Sequence, residues 1–222
     1  HLWPERFTGQ AWGSVWASRG TVFNTLGLAA ASAGLALAWS VAWLELAPRR
    51  WDTALRPVLY LPLVLPAVLW VVGLYGVGLQ LRLEGQASGL LIAHTLMVLP
   101  YVLLALSPAY LGFDPRYAQL NASLGRSGWA FLLRVKWPLL KRALASAAAV
   151  GFAVSVAQYL PTLFAGGGRF VTVTTEAVAL SAGGNRRVLA VQAMLQIVLP
   201  LLGFGLAALF SYWAGRCRKG LR

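Results

Sequence analysis

Five stretches of the chain carry no Asp, Glu, Lys or Arg: Gly20–Leu44, Pro57–Gln80, Gly85–Phe113, Ala143–Gly168 and Val188–Gly215. Each exceeds the roughly 20 residues that a helix needs to cross about 30 Å of hydrocarbon. Lipid offers backbone amides no partner, so the pattern predicts five transmembrane helices in an all-α integral membrane protein. Runs of small residues, Leu28–Gly34 and Ala143–Gly151, suit close contact between helices. Prolines 62, 66, 100, 108, 161 and 200 fall inside the stretches and predict kinks.

One polar interruption stands out, DPRYAQLNASLGRSGWAFLLRVKWPLL, residues 114–140, with four cations. Asp114-Pro115 has the form of a helix start, an acceptor followed by proline. Tyr117, Leu120 and Leu124 then recur at helical spacing. Gly125 predicts a stop and Arg126-Ser127-Gly128 a turn. Trp129, Leu132, Leu133 and Lys136 restart a helix, with Pro138 marking entry to the fourth span. The pattern predicts a short helix, a turn and a second helix lying across one membrane face. An interfacial helix that only anchors the loop would have the same pattern.

Composition agrees: 59% of the 222 residues are hydrophobic and 11% charged, against roughly 25% charged in a soluble domain. The net charge of +13 follows the membrane-flanking loops and implies no nucleic acid. With the C-terminus inside, segments 45–56, 114–142 and 216–222 hold thirteen Lys and Arg, and the opposite segments six. The bias places residues 114–142 and the basic 216–222 tail in the cytoplasm. Residues 1–19 become a periplasmic pre-helix segment and 20–215 the transmembrane domain. An outside N-terminus and a first residue of His rather than Met suggest a piece of a longer chain. No signal peptide and no internal repeat is visible. The single cysteine, Cys217, cannot form an intrachain disulfide.

Candidate chemistry is sparse. His94 is the one histidine within a span, where a neutral ring bonded to a neighbouring helix is the simplest role. No second His, Cys or carboxylate lies in a span to build a metal site with it. Gly125-Arg126-Ser127-Gly128 is similar to the nucleophile motif of intramembrane serine proteases. His94, however, lies roughly 28 Å along its helix from the span's inner end, too far to act as base. Gly166-Gly167-Gly168-Arg169 could cradle an anion through backbone amides, but a glycine turn at the outer membrane surface is the simpler role. The outer loop Phe170–Ser181 predicts a short strand or helix. No G-x-x-x-x-G-K-[ST] loop occurs, so ATP hydrolysis would belong to another subunit.

The order of these features resembles the permease subunits of binding-protein-dependent ABC importers, the five-helix MetI-like core. In that family the loop between helices 3 and 4 carries Glu-Ala-Ala, three residues, Gly, and later a hydrophobic-Pro pair. Here Gly125 fits the glycine and Trp137-Pro138 the pair, while Gln119-Leu120-Asn121 stands at the Glu-Ala-Ala positions. The absent acid bears on the polar contact made there rather than on docking. Asn24-Thr25-Leu26, Leu61–Pro66, Ala93-His94-Thr95 and Leu99-Pro100-Tyr101 match the family's first three spans. The likeness covers about residues 7–214 and is greatest to the ferric iron, thiamine and sulfate type, in which two cores are often fused.

The resemblance implies a multi-pass protein of the bacterial inner membrane that makes and breaks no covalent bond and needs no cofactor. It implies an ABC ATPase subunit, a periplasmic solute-binding protein and a second permease half as partners, with lipid around them. The ATPase would meet a coupling helix comprising Tyr117, Gln119, Leu120, Asn121, Ala122, Leu124 and Gly125, with Trp129 and Pro138 behind it. Asn24, Gln158 and Tyr159 would lie near the translocation path. For Gln158, bonding between helices is the competing role. The different-class alternative is a membrane scaffold or assembly protein whose loop docks a partner.

Overall fold

A computed structural model of the chain describes residues 19–183 and 186–216, together with Gly13 and Trp16. Most of the expected pre-helix segment and the tail beyond Arg216 lie outside the described residues. The described chain is helical throughout, without strands. Its elements are α1 (Arg19–Leu46), α2 (Arg49–Leu59), α3 (Leu61–Val64), α4 (Ala67–Gln80) and α5 (Ala87–Leu111). They continue with α6 (Arg116–Ser123), α7 (Gly128–Ala157), α8 (Leu160–Gly166), α9 (Val173–Ser181) and α10 (Arg186–Arg216).

Four helices, α1, α5, α7 and α10, are long and apolar enough to cross a membrane. A fifth span exists if the α2–α4 region is counted as one, but that region is bent by 111°. The single helix expected over 57–80 is therefore corrected to a broken one. Proline causes the break. Leu65 is extended, at φ −83° and ψ 147°, because a following proline ring disfavours the helical region at the residue before it. Alone, the 14 residues of α4 rise roughly 21 Å. Pro100, Pro108 and Pro200, by contrast, sit within continuous helices.

The helix of the fourth span extends beyond its charge-free stretch. It begins at Gly128, so the segment after the turn runs on into it instead of forming a separate surface helix. Residues Leu132–Lys136 form a π turn, and the Trp137 N–H reaches back to the Leu132 carbonyl. Pro138 explains the irregularity, since a proline inside an α-helix removes one amide and crowds the carbonyl four residues earlier. At the other end the helix stops at Ala157, and Gln158 is extended. Pro161 then opens α8 in its first turn.

Helices α1, α5 and α7 form the centre. Val98, Val102, Leu106, Ala36 and Ala147 are buried between them. Gly151 marks the closest approach: a Cβ there would lie 2.7 Å from Val102 Cγ2 and 3.3 Å from the Ala33 Cβ. A second cluster, Ala29, Val156, Val173, Leu195 and Leu199, attaches α9 and α10. The segment Phe170–Ser181 holds a helix, not a strand: the Thr172 and Thr175 side chains cap α9 reciprocally. The bundle thus has an α6 end and an α9 end.

Candidate functional site

The candidate coupling residues lie together at the α6 end. Asp114 Oδ1 accepts the Arg116 N–H at 2.8 Å and starts α6, with Pro115 before its first residue. The helix closes at Gly125, whose φ of +66° is disfavoured for residues with a Cβ. The Gly125 and Arg126 amides bond back to the carbonyls of Ala122 and Asn121. Ser127 then caps α7 by accepting the Ala130 N–H at 3.3 Å.

Burial separates two roles within this stretch. Leu120, Leu124 and Trp129 are 62%, 69% and 68% exposed. Tyr117, Gln119, Ala122 and Pro138 are exposed as well. Asn121 is buried, and its amide donates to the carbonyls of Arg126 (3.1 Å) and Ser127 (3.3 Å). It shapes the turn, while the apolar side chains around it face away from the bundle. The ring of Phe113 packs at a tilt against Tyr117, 5.5 Å between centres, and edge-on against Phe131 at 6.1 Å, joining α6 to the start of α7.

Beside this elbow lies a polar cluster that the sequence reading missed. Glu45 Oε2, near the end of α1, accepts the Tyr110 hydroxyl at 2.8 Å and the Lys136 ammonium at 2.6 Å. The Trp137 indole donates to the Tyr110 oxygen at 3.3 Å, and the Lys136 Nζ lies 4.1 Å from the centre of the Tyr110 ring. A lone carboxylate at the C-terminal boundary of the first charge-free stretch was the available signal. Its partner lies 91 residues away, beyond the reach of any local pattern.

His94 occupies a different place, at the break of the fourth span. Its two ring nitrogens each lie 2.9 Å from a hydroxyl, Nδ1 from Ser155 and Nε2 from Thr162. Ser32 of α1 donates to the Ser155 hydroxyl at 2.9 Å. The neutral interhelical role expected for His94 fits these contacts. Ser127 is engaged with the α7 terminus and not with His94, so no nucleophile–base pair forms. Among the described residues, no group of three or more His, Cys, Asp or Glu could hold a metal ion.

The three candidate path residues do not form one contact. Asn24 donates to the Val171 carbonyl at 3.4 Å, toward the α9 end. Gln158 and Tyr159 occupy the α7–α8 break. Both amide atoms of Gln158 are buried without a partner, as are those of Gln192 on α10. Unpaired buried polar groups are costly, which makes these two side chains the natural places for a further bond. Gln192 gave no sequence signal beyond being a polar residue in an apolar run.

No protein-family model matches the chain. The inner membrane ABC transporter permease protein YnjC of Escherichia coli (strain K12) is 43% identical over 201 residues, 90% of this chain and 39% of that protein. The thiamine transport system permease protein ThiP of Salmonella typhimurium (strain LT2) is 31% identical over 152 residues, 62% of this chain and 28% of that protein. The molybdenum transport system permease protein ModB of Mycobacterium bovis is 33% identical over 134 residues, 54% of this chain and 51% of that protein. The chain spans about two fifths of the length of YnjC and about half that of ModB.

Proposed function

We propose, from the premise that this chain is a homologue of the permease proteins of ABC transporters, that it is a transmembrane component of an ATP-driven importer. It forms part of the solute path and makes no covalent change in the solute. The observation that carries the coupling part of this reading is the exposed face of α6. Tyr117, Leu120 and Leu124 stand off the bundle on a short helix closed by a positive-φ glycine. A rigid apolar knob beside cationic loop residues fits a groove on a soluble ATPase subunit.

On this reading α6 and the turn to Ser127 lie in the cytoplasm, and α9 faces the periplasm and a solute-binding protein. The chain sits in the inner membrane as a multi-pass protein. Apolar residues left open on α4 and α10, such as Val72, Ile197, Leu201 and Phe210, fit lipid and a second permease core, fused or separate. ATP closure of the motor displaces α6, and the bundle exchanges between two packings. The break at Gln158-Tyr159 and the bend at Leu65-Pro66 are the points where helix halves can tilt.

The test is coexpression with an ABC ATPase subunit from the same source. The wild-type chain copurifies an ATPase that carries a phosphate-binding loop. Gly125→Val inserts into the membrane normally, since no atom lies within 4 Å of the added Cβ. Its positive φ nevertheless costs roughly 1–2 kcal/mol at the turn, and ATPase retention and stimulation fall. Unaltered retention and stimulation in that variant would refute the docking role. Capture of a partner without any ATPase would favour the scaffold alternative.

A further inference from the structure

We infer that the Glu45–Lys136 ion pair, seated on Tyr110, is the joint that carries displacement of the α6 elbow into α1. The inference deepens the proposed function and rests on it. Its basis is a continuous physical connection. The Tyr117 ring on α6 meets Phe113, and Phe113 meets Phe131 at the head of α7. Phe131 and Leu132 are buried, so the head of α7 is gripped where the π turn begins. The π turn ends at Lys136, whose ammonium reaches Glu45 at 2.6 Å. Glu45 is the penultimate residue of α1.

Three features suit the pair to transmit motion. Its side chains are only 13% and 25% exposed, so water and salt screen it less than a surface pair. Its carboxylate oxygen is also held by the Tyr110 hydroxyl, which ties the joint to α5. And the extra residue of a π turn rotates the next helical residues around the axis, which sets the face on which Lys136 emerges. A π turn is also a weak point, able to give up or regain its register, so displacement of α6 has a local element on which to act.

The cationic partner is replaceable in principle, which makes the inference testable by exchange. The assembled transporter is prepared with its ATPase, with Cys217→Ser and spin labels on cysteines introduced at Phe23 of α1 and Ile197 of α10, both exposed. The distance between labels is measured with Mg-ATP and with Mg-ADP. In the parent the distance changes between the two nucleotides. Glu45→Gln and Lys136→Met retain the ATPase and its turnover but reduce that change by about threefold or more. Lys136→Arg and the exchange Glu45→Lys with Lys136→Glu recover most of it.

Turnover retained while motion is lost is a split that a merely structural contact does not produce. Single variants that move like the parent overturn the inference, as does an exchange variant no better than the worse single. A parent that binds the ATPase but shows no nucleotide-dependent change overturns it too. Absence of any copurified ATPase instead removes the coupling reading on which it stands.

Discussion

His94 Nε2 lies 2.9 Å from the Thr162 hydroxyl, across the break between α7 and α8. Through Nδ1 the same ring holds Ser155, on the other side of that break. A single imidazole on α5 therefore fixes the angle at which the fourth span resumes. Replacing it with leucine keeps the volume and removes both bonds. Ser155 and Thr162 keep other partners, Ser32 and the Gln158 carbonyl, so the loss is moderate. His94→Leu is expected to lower stability by about 1–3 kcal/mol, with His94→Asn in between. Denaturation of the purified chain in detergent checks both.

Gly151 tests the packing of α1, α5 and α7. A valine there has no room beside Val102 and Val98, and overpacking costs about 1–3 kcal/mol. Gly27 on the open side of α1 has no atom within 4 Å of an added Cβ. Gly27→Ala should be neutral or stabilising by up to about 1 kcal/mol. The contrast is read from the midpoints of the same denaturation experiment. Equal effects would mean that the three helices are not in contact at Gly151.

Asn121 and Gln119 are two residues apart and should behave differently. Asn121→Ala removes two bonds to turn carbonyls and should destabilise the turn locally by about 1–2 kcal/mol. Gln119 is exposed, and its alanine variant should stay within about 0.5 kcal/mol of the parent. Hydrogen exchange of residues 122–128 reports the difference, with faster exchange expected in the Asn121 variant alone.

The Thr172–Thr175 capping box holds the start of α9, where the Val173 amide also bonds Thr25 of α1 at 2.9 Å. Thr172→Ala should cost about 0.5–2 kcal/mol. Faster exchange should appear at residues 173–176, with α6 unaffected. An equal change at the α6 end would show that the two ends of the bundle are not independent.

Several of these relations were half visible before the fold was known. The Asp114-Pro115 start, the Gly125 stop and the exposed Tyr117, Leu120 and Leu124 all stem from local rules of helix termini and periodicity. The same rules marked the charge-free stretch of the fourth span but not the full length of its helix. Lys141 and Arg142 bound that stretch, yet the helix passes through them because backbone hydrogen bonding does not depend on side-chain charge. The family motif puts Asn121 among the docking residues, and only the turn to Ser127 shows its amide folded inward. Neither Glu45 with Lys136 nor Ser32 with Ser155 could be paired beforehand, since many helix arrangements satisfy one hydrophobic pattern.

By itself, the sequence determined that the backbone would be helical and embedded in lipid, because an apolar solvent leaves the amides only their own chain as partner. It also determined where proline and glycine could interrupt those helices, because their constraints are carried within a few neighbouring residues. Only the tertiary structure decided which interruptions became bends, which polar side chains met across helices, and which apolar faces stayed open. Those outcomes depend on how helices far apart in the chain are placed against one another. Lipid solvates every apolar face about equally, so hydrophobicity does not choose among placements; close packing and a few buried polar bonds do.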